Sequence, residues 1–468
     1  MSVDRHRGLG WSGIVRLGLV QAMLGAIVVL TTSTLNRVMV VELALPALLP
    51  GVLVALHYAV QTTRPRMGFG ADRSARRTPW IVGGMLVLAL GGTGAAASVA
   101  WMGTQLGAGL ALAALSFVFV GLGVSAAGTS LLTLLAKRVD APRRAGAAAT
   151  VWVMMIMGFA VTAGVAGRFL DPYTPARLVA VSGVVSALAL LVTLVALWRL
   201  EGPDAAASAA DDHRSPMTAQ RFRQALAEVW AEPDARRFTV FVFVAMLAYS
   251  AQDLILEPFA GVMFGFTPGE TTQLSGVQHG GTLAGMLLAS LAGRRVLGVS
   301  FGSLRTWTVW GCLASCLMLG GLAWAGFVAA PAWPLRANVF ALGVANGAFS
   351  IAAIGSMMAL AGQGRASREG TRMGLWGASQ AIAFAGGGLV GTALADLTRW
   401  LVGAPGPAYA GVFALEALLF IASARLAATI AWPSAPGVTG ADALASQADA
   451  APDVQPALAG APTLKDPS

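Results

Sequence analysis

Twelve stretches of this chain, each about 20 residues or longer, consist mostly of Leu, Val, Ala and Gly. They run over 12–34, 43–62, 80–102, 105–135, 147–168, 178–199, 238–262, 272–293, 304–328, 334–361, 373–396 and 408–431, each bounded by charge, Pro or Gly. A helix of that length crosses the ~30 Å hydrocarbon layer with its backbone N–H and C=O groups paired internally, as lipid requires. The runs lack two-residue alternation and far exceed strand length, which excludes a β-barrel. The fourth and tenth have length to spare for tilt or for projection beyond the bilayer. Charged residues make up only 11% of the 468, against about 25% in soluble domains. The 57 glycines suit helices that approach closely in lipid. The expected architecture is an all-α membrane protein of twelve transmembrane helices. Met1–Gly10 is polar and the first apolar run is long enough to span and remain, so no cleavable signal is expected.

The net charge of +9 does not point to nucleic acid, because the basic residues lie between the apolar runs. With a cytoplasmic N-terminus, the cytoplasmic loops, tails and adjoining run ends hold 26 of the 31 Lys and Arg; only Arg37, Arg168, Arg177, Arg336 and Arg399 fall on the other side. The positive-inside rule then places both termini in the cytoplasm. Residues 1–200 and 238–432 carry six runs each. Between them, in 201–237, Glu201–Arg214 reads as a flexible Ala/Asp linker. Ser215-Pro216 reads as the start of an amphipathic surface helix bearing Phe222, Leu226, Val229 and Trp230; a solvated linker helix is the alternative. The tail over 433–468 is rich in Ala, Pro and Asp without periodicity, and disorder is expected there. A repeat is visible at the starts of runs five and eleven. Arg144-Ala145-Gly146 precedes Trp152 at the offsets with which Arg368-Glu369-Gly370 precedes Trp376. With halves of equal length, this points to a duplicated six-helix unit, the plan of the major facilitator fold.

Between runs two and three, Gly68–Arg77 fits the major facilitator loop pattern G-x-x-x-D-R-x-x-R-R at every defined position. Gly68 permits a tight exit from the helix. Asp72 can accept from N–H groups at a helix start and pair with Arg73, Arg76 and Arg77, a latch on the cytoplasmic side. The bland alternative is a charged loop that only sets orientation. The equivalent loop between runs eight and nine keeps only Gly293-Arg294-Arg295, so any latch is one-sided.

Ionisable groups at membrane depth cost at least ~2.5 kcal/mol each on insertion scales, so they face a protein interior, a partner or a ligand. Asp253 and Glu257, at i and i+4 on run seven, share a face and could hold a proton between them. Alternatively Glu257-Pro258 caps a loop and only Asp253 lies deep. Asn36, Arg37 and Glu42 form a polar group where run one meets run two, with Arg37 and Glu42 placed for an ion pair. Of four histidines, His6 and His213 fall in tail and linker, whereas His57 and His279 fall in runs two and eight. A neutral imidazole is the usual axial ligand for the magnesium of a chlorophyll-type ring. A packing histidine would instead take a hydrogen bond from neighbours such as Ser275 and Gln278. Cys312 and Cys316, four apart in one run, suit small-residue packing better than metal or redox chemistry. There is no P-loop, H-E-x-x-H pair or serine-hydrolase elbow, so neither a catalytic nor a metal site is expected.

Three segments carry a resemblance. Thr34–Leu43, Leu56–Tyr58 and above all the block Ser250–Gly281 closely resemble the PucC/LhaA family, the bacteriochlorophyll delivery branch of the major facilitator superfamily. The similarity runs from about Leu17 to Trp432 and spares linker and tail. It implies an assembly factor of anoxygenic phototrophs that brings bacteriochlorophyll to light-harvesting polypeptides, or shepherds those subunits around the reaction centre. It implies His57 and His279 as pigment contacts, with Gln278, Asp253 and Glu257 in or lining the same site. It also implies a bacterial inner membrane, including the photosynthetic intracytoplasmic membrane. The stretch Arg64–Trp80 is more compact than the loop of antenna-specific members and looks more like the member that accompanies the bacteriochlorophyll synthase genes.

The expected protein is therefore a twelve-helix major facilitator fold, not an enzyme, that binds bacteriochlorophyll transiently and assists photosystem assembly. Its expected partners are light-harvesting polypeptides or a reaction-centre–antenna complex, and bacteriochlorophyll synthase. Two rivals make different demands. A proton-coupled transporter of a small amphiphile would use Asp253 and Glu257 as coupling groups. A pigment-free scaffold would recruit antenna subunits or the synthase without any role for the histidines.

Overall fold

The computed structural model describes residues 9–64, 76–140, 143–201, 227–290, 295–296, 299–300, 302–328, 333–363 and 369–430. Gly68, Asp72, Arg73, the surface segment up to residue 226 and the tail from 433 lie outside the described residues.

The first half contains α1 (Trp11–Glu42), α2 (Leu48–Val60), α3 (Thr78–Met102), α4 (Leu106–Arg138), α5 (Arg144–Leu170) and α6 (Pro175–Leu197). The second contains α7 (Pro233–Phe264), α8 (Pro268–Ala289), α9 (Leu304–Ala325), α10 (Leu335–Gln363), α11 (Glu369–Val402) and α12 (Pro405–Thr429). A two-stranded hairpin, β1 (Arg295–Val296) with β2 (Val299–Ser300), links α8 to α9.

Ten of these helices are long and apolar enough to cross a membrane, and the chain is a membrane protein. Among the described helices α2 and α8 fall short, for different reasons. The apolar stretch of α2 is short, at Leu48–Thr63. Helix α8 is long but polar. Its Thr271, Thr272, Ser275, Gln278, His279 and Thr282 are all buried, so protein rather than lipid solvates them.

Helix ends follow local chemistry. Gly265 takes a left-handed conformation, φ 68°, and ends α7. Two residues later a capping box starts α8: Thr267 Oγ1 accepts from Glu270 N at 3.2 Å, and Thr267 N donates to Glu270 Oε2 at 2.9 Å. Pro at the first turn opens α3, α6, α7, α8 and α12, where its missing N–H costs nothing. Each half buries its own apolar core, and the halves meet where α5 packs on α8 and α2 on α11.

Two expectations need correction. Helix α1 does not stop at residue 34: it continues through Asn36 and Arg37 to Glu42 by way of two π-helical turns, Leu30–Thr34 and Val38–Glu42. The polar residues that ended the apolar run find partners in the other half, so the helix can pass through them. Glu201 is not free linker. Its carboxylate accepts from Arg77 N at 2.9 Å, and from Thr78 N and Thr78 Oγ1 at 2.7 Å. It thereby satisfies orphan N–H groups at the start of α3. Asp72, which the sequence offers for such a role, lies outside the described residues; among those described, Glu201 supplies the carboxylate. Arg77 is buried and serves as the N-cap residue of α3, while Arg76 is exposed beside it.

Candidate functional site

The polar residues of the apolar helices converge where the two halves meet. On α1, the π-helical turns bracket Asn36 and Arg37, an irregularity that often marks functional positions. Ser33 Oγ donates to Glu257 Oε1 at 2.5 Å, and Thr34 Oγ1 lies 3.0 Å from Thr272 Oγ1. Asn36 Nδ2 donates to the carbonyl of Leu254 at 2.5 Å. Arg37 pairs with Glu42 and also donates to the Phe266 carbonyl at 2.7 Å. Of the group predicted where runs one and two meet, Asn36 and Arg37 are buried and, with Ser33 and Thr34, form a belt tying α1 to α7, α8 and the turn between them, while Glu42 stays exposed at its edge. Tyr173, in the turn after α5, has its hydroxyl pushed above the ordinary value by burial and by the Glu42 carboxylate, with Arg37 opposing.

Glu257 does not cap a loop. It and Pro258 lie inside α7, and Glu257 is 1% exposed. Asp253, one turn earlier, is reached from α8, with Gln278 Nε2 3.5 Å from its Oδ1. Among the described residues no hydrogen bond joins Asp253 to Glu257: the first looks to α8 and the second to α1. Beside Asp253 stands an aromatic row shared by the halves. Phe384 of α11 lies between Tyr58 of α2, at 5.4 Å, and Tyr249 of α7, at 6.0 Å, ring centre to ring centre.

The two histidines differ in what they have free. The backbone carbonyl of Ser275 lies 2.8 Å from His279 Nδ1. A carbonyl only accepts, so Nδ1 carries the proton and Nε2 keeps the lone pair. The Phe159 ring meets this imidazole edge-on at 5.0 Å across the α5–α8 contact. For His57 the arrangement is reversed. Arg64 donates to Gln61 Oε1, which turns the Gln61 amide nitrogen toward His57 Nε2 at 2.8 Å. Nε2 is therefore the acceptor, and Nδ1 carries a proton with no hydrogen-bond partner among the described residues.

Sequence reasoning passed over Glu416 and Gln252. Glu416 of α12 and Gln252 of α7 are 1% and 0% exposed, and neither side chain has a hydrogen-bond partner among the described residues. The signal for Glu416 was present, since it is an ionisable residue inside an apolar run, as Asp253 is. Away from the seam, an apolar groove of about 460 Å³ opens between α3 and α4, lined by Trp80, Gly83, Val87, Leu122 and Ala126 among others.

Comparison with known proteins gives this geometry its context. The family model described as "PUCC protein" matches residues 34–434. The bacteriochlorophyll synthase 44.5 kDa chain of Rhodobacter capsulatus is 52% identical, over 90% of this chain and 95% of its own. Protein PucC of the same organism is 33% identical over 89% of this chain and 91% of its own. The greater identity to the synthase-named relative agrees with the likeness read from the sequence stretch Arg64–Trp80. A solved proton-dependent oligopeptide transporter superposes with a TM-score of 0.61 at 15% identity, covering 90% of this chain and 98% of its own. A bacterial homologue of the human lysosomal transporter Spinster gives 0.58 at 16%, covering 92% and 96%. At such identities the likeness establishes the fold, which is that of major facilitator transporters.

Proposed function

Because the chain belongs to the PUCC protein family, we propose that it is an assembly factor for photosynthetic complexes, one that binds bacteriochlorophyll and hands it on. The observation that carries this reading is the 52% identity, over nearly the whole of both chains, to a protein named for bacteriochlorophyll synthase. The recipient is a light-harvesting polypeptide or a reaction-centre–antenna complex, and the synthase is the partner upstream. The chain makes and breaks no covalent bond in this scheme. It sits in the bacterial inner membrane with both termini in the cytoplasm and with all twelve helices crossing, α8 included because its polar side chains are buried in protein.

The donor set favours His279 over His57 as the axial contact of the pigment. A ligating imidazole normally donates its other N–H to a carbonyl or carboxylate, which fixes the tautomer and strengthens the donor. His279 already has that arrangement through the Ser275 carbonyl, whereas the Nε2 of His57 is spent on Gln61. His279 is only 7% exposed, at the contact of α5 with α8, so a macrocycle reaches it when that contact parts. Gln278, Asp253 and Glu257 then lie close by as polar lining. The test is deletion of the gene in its phototrophic host. Antenna absorption bands should fall while pigment synthesis continues; unchanged antenna content would overturn the reading.

A second reading has one observation in its favour: Asp253 is a carboxyl within the membrane body that is only partly buried, as a proton-coupling group would be. In vesicles that reading requires substrate flux to dissipate a pH gradient and Asp253→Asn to abolish the coupling.

A further inference from the structure

Helices α5 and α11 hold equivalent places in the two halves, as the Arg144–Trp152 and Arg368–Trp376 repeat at their starts indicates. Toward the other end of each stands one aspartate, and both reach across to the opposite half. Asp171, the C-cap of α5, accepts from Thr267 Oγ1 at 2.7 Å and from Gly269 N at 3.2 Å, in the first turn of α8. Asp396 of α11 accepts from Ala47 N at 3.0 Å and Leu48 N at 2.7 Å, at the start of α2. Each carboxylate thus supplies acceptors to the orphan N–H groups, and the positive dipole end, of a helix it is not part of. The equivalence is reciprocal: α5 caps α8, and α11 caps α2.

Both contacts lie on the face where α1 ends and α2 begins, opposite the C-terminal end of α2. Arg37, with its reach to the Phe266 carbonyl, lies on the same face. The fit at Asp171 is close enough to require glycine. A Cβ added to Gly269 would fall 2.5 Å from the Asp171 carboxyl carbon, and one on Gly167 would fall 2.6 Å from the Gly269 oxygen. Behind these contacts lie the Ser33–Glu257 and Thr34–Thr272 bonds and, deeper along α8, His279.

We infer that Asp171 and Asp396 are a matched pair of latches that hold the halves shut on this face, and that releasing them opens the seam toward that side. The halves of this chain then alternate between two closures, and access to the buried polar belt is governed at its far end by two carboxylates. This holds whatever molecule the belt receives.

The test uses the full chain in lipid nanodiscs with Cys312 and Cys316 replaced by serine. Spin labels on Thr104→Cys and Leu401→Cys report this face across the halves, and labels on Thr62→Cys and Ser290→Cys report the opposite face. In an Asp171→Ala/Asp396→Ala chain the first pair should shift to longer distances and the second to shorter ones, with the open fraction up by about tenfold or more, the order expected for losing charge-assisted hydrogen bonds. Unchanged distances, or lengthening on both faces together, would overturn the proposal. Should the double variant fail to fold, Asp171→Asn and Asp396→Asn serve singly. Each should speed labelling of Ser33→Cys by a membrane-impermeant maleimide, and rates no faster than in the chain with both aspartates intact would refute the latches.

Discussion

Between α5 and α8 the halves meet backbone to backbone, whereas between α2 and α11 they meet through side chains. A Cβ on Gly276 would stand 2.8 Å from the Gly164 nitrogen and 3.1 Å from the Ala160 oxygen, so nothing there can yield. Across the other seam Tyr58 packs on Phe384, and the nearest neighbour of Gly51 is the side chain of Thr392. Each seam also holds one of the two intramembrane histidines, and each treats it differently. In the glycine seam His279 is pinned by its own backbone and keeps Nε2; beside the side-chain seam His57 is consumed by Gln61. The same residue type on α2 and on α8 thus ends with opposite availability, and the hydrogen bond each ring makes decides which.

The contrast can be broken most forcefully at Gly276. Gly276→Val forces two backbones apart, and overpacking of this kind costs about 3 kcal/mol. The apparent melting temperature in detergent should fall sharply, and a near-normal value would mean that the α5–α8 seam adapts as freely as its counterpart. Gly51→Ala should cost about 1 kcal/mol and lose most of that penalty when combined with Thr392→Ala. The double-mutant cycle would find no coupling if the seam were rigid backbone. The smallest effect is expected at Thr34→Val, which removes the bond to Thr272. Interhelical hydrogen bonds in membranes average about 0.6 kcal/mol, so a shift several times larger would mark Thr34 as part of something more than packing.

Much of the fold was legible because a 20-residue apolar run has few alternatives in lipid. The starts at Pro175, Pro268 and Pro405 and the stop at Gly265 were written locally as caps. What stayed hidden depends on partners remote in sequence. Arg37 has a local partner in Glu42, but its second one, the Phe266 carbonyl, lies 229 residues away. Glu201 looked like the first residue of a linker because its partners at the start of α3 lie 123 and 124 positions back. Asp171 and Asp396 have the form of ordinary helix-end residues, and their contacts span 98 and 349 positions. Glu416 is the exception, since a carboxyl inside an apolar run was visible from the start. Among the site residues, the sequence could name both histidines but could not rank them, because the ranking rests on Ser275, Gln61 and Arg64.

We propose that this membrane body holds bacteriochlorophyll through an imidazole in the glycine seam. The most direct test is the near-infrared absorption spectrum of the protein purified in mild detergent from phototrophic cells, measured beside His279→Ala and His57→Ala. Stoichiometric pigment is expected in the parent chain, with a loss of about tenfold or more in His279→Ala, corresponding to about 1.4 kcal/mol of binding, and little change in His57→Ala. A pigment-free parent that still supports antenna assembly, or full pigment retention in His279→Ala, would contradict it.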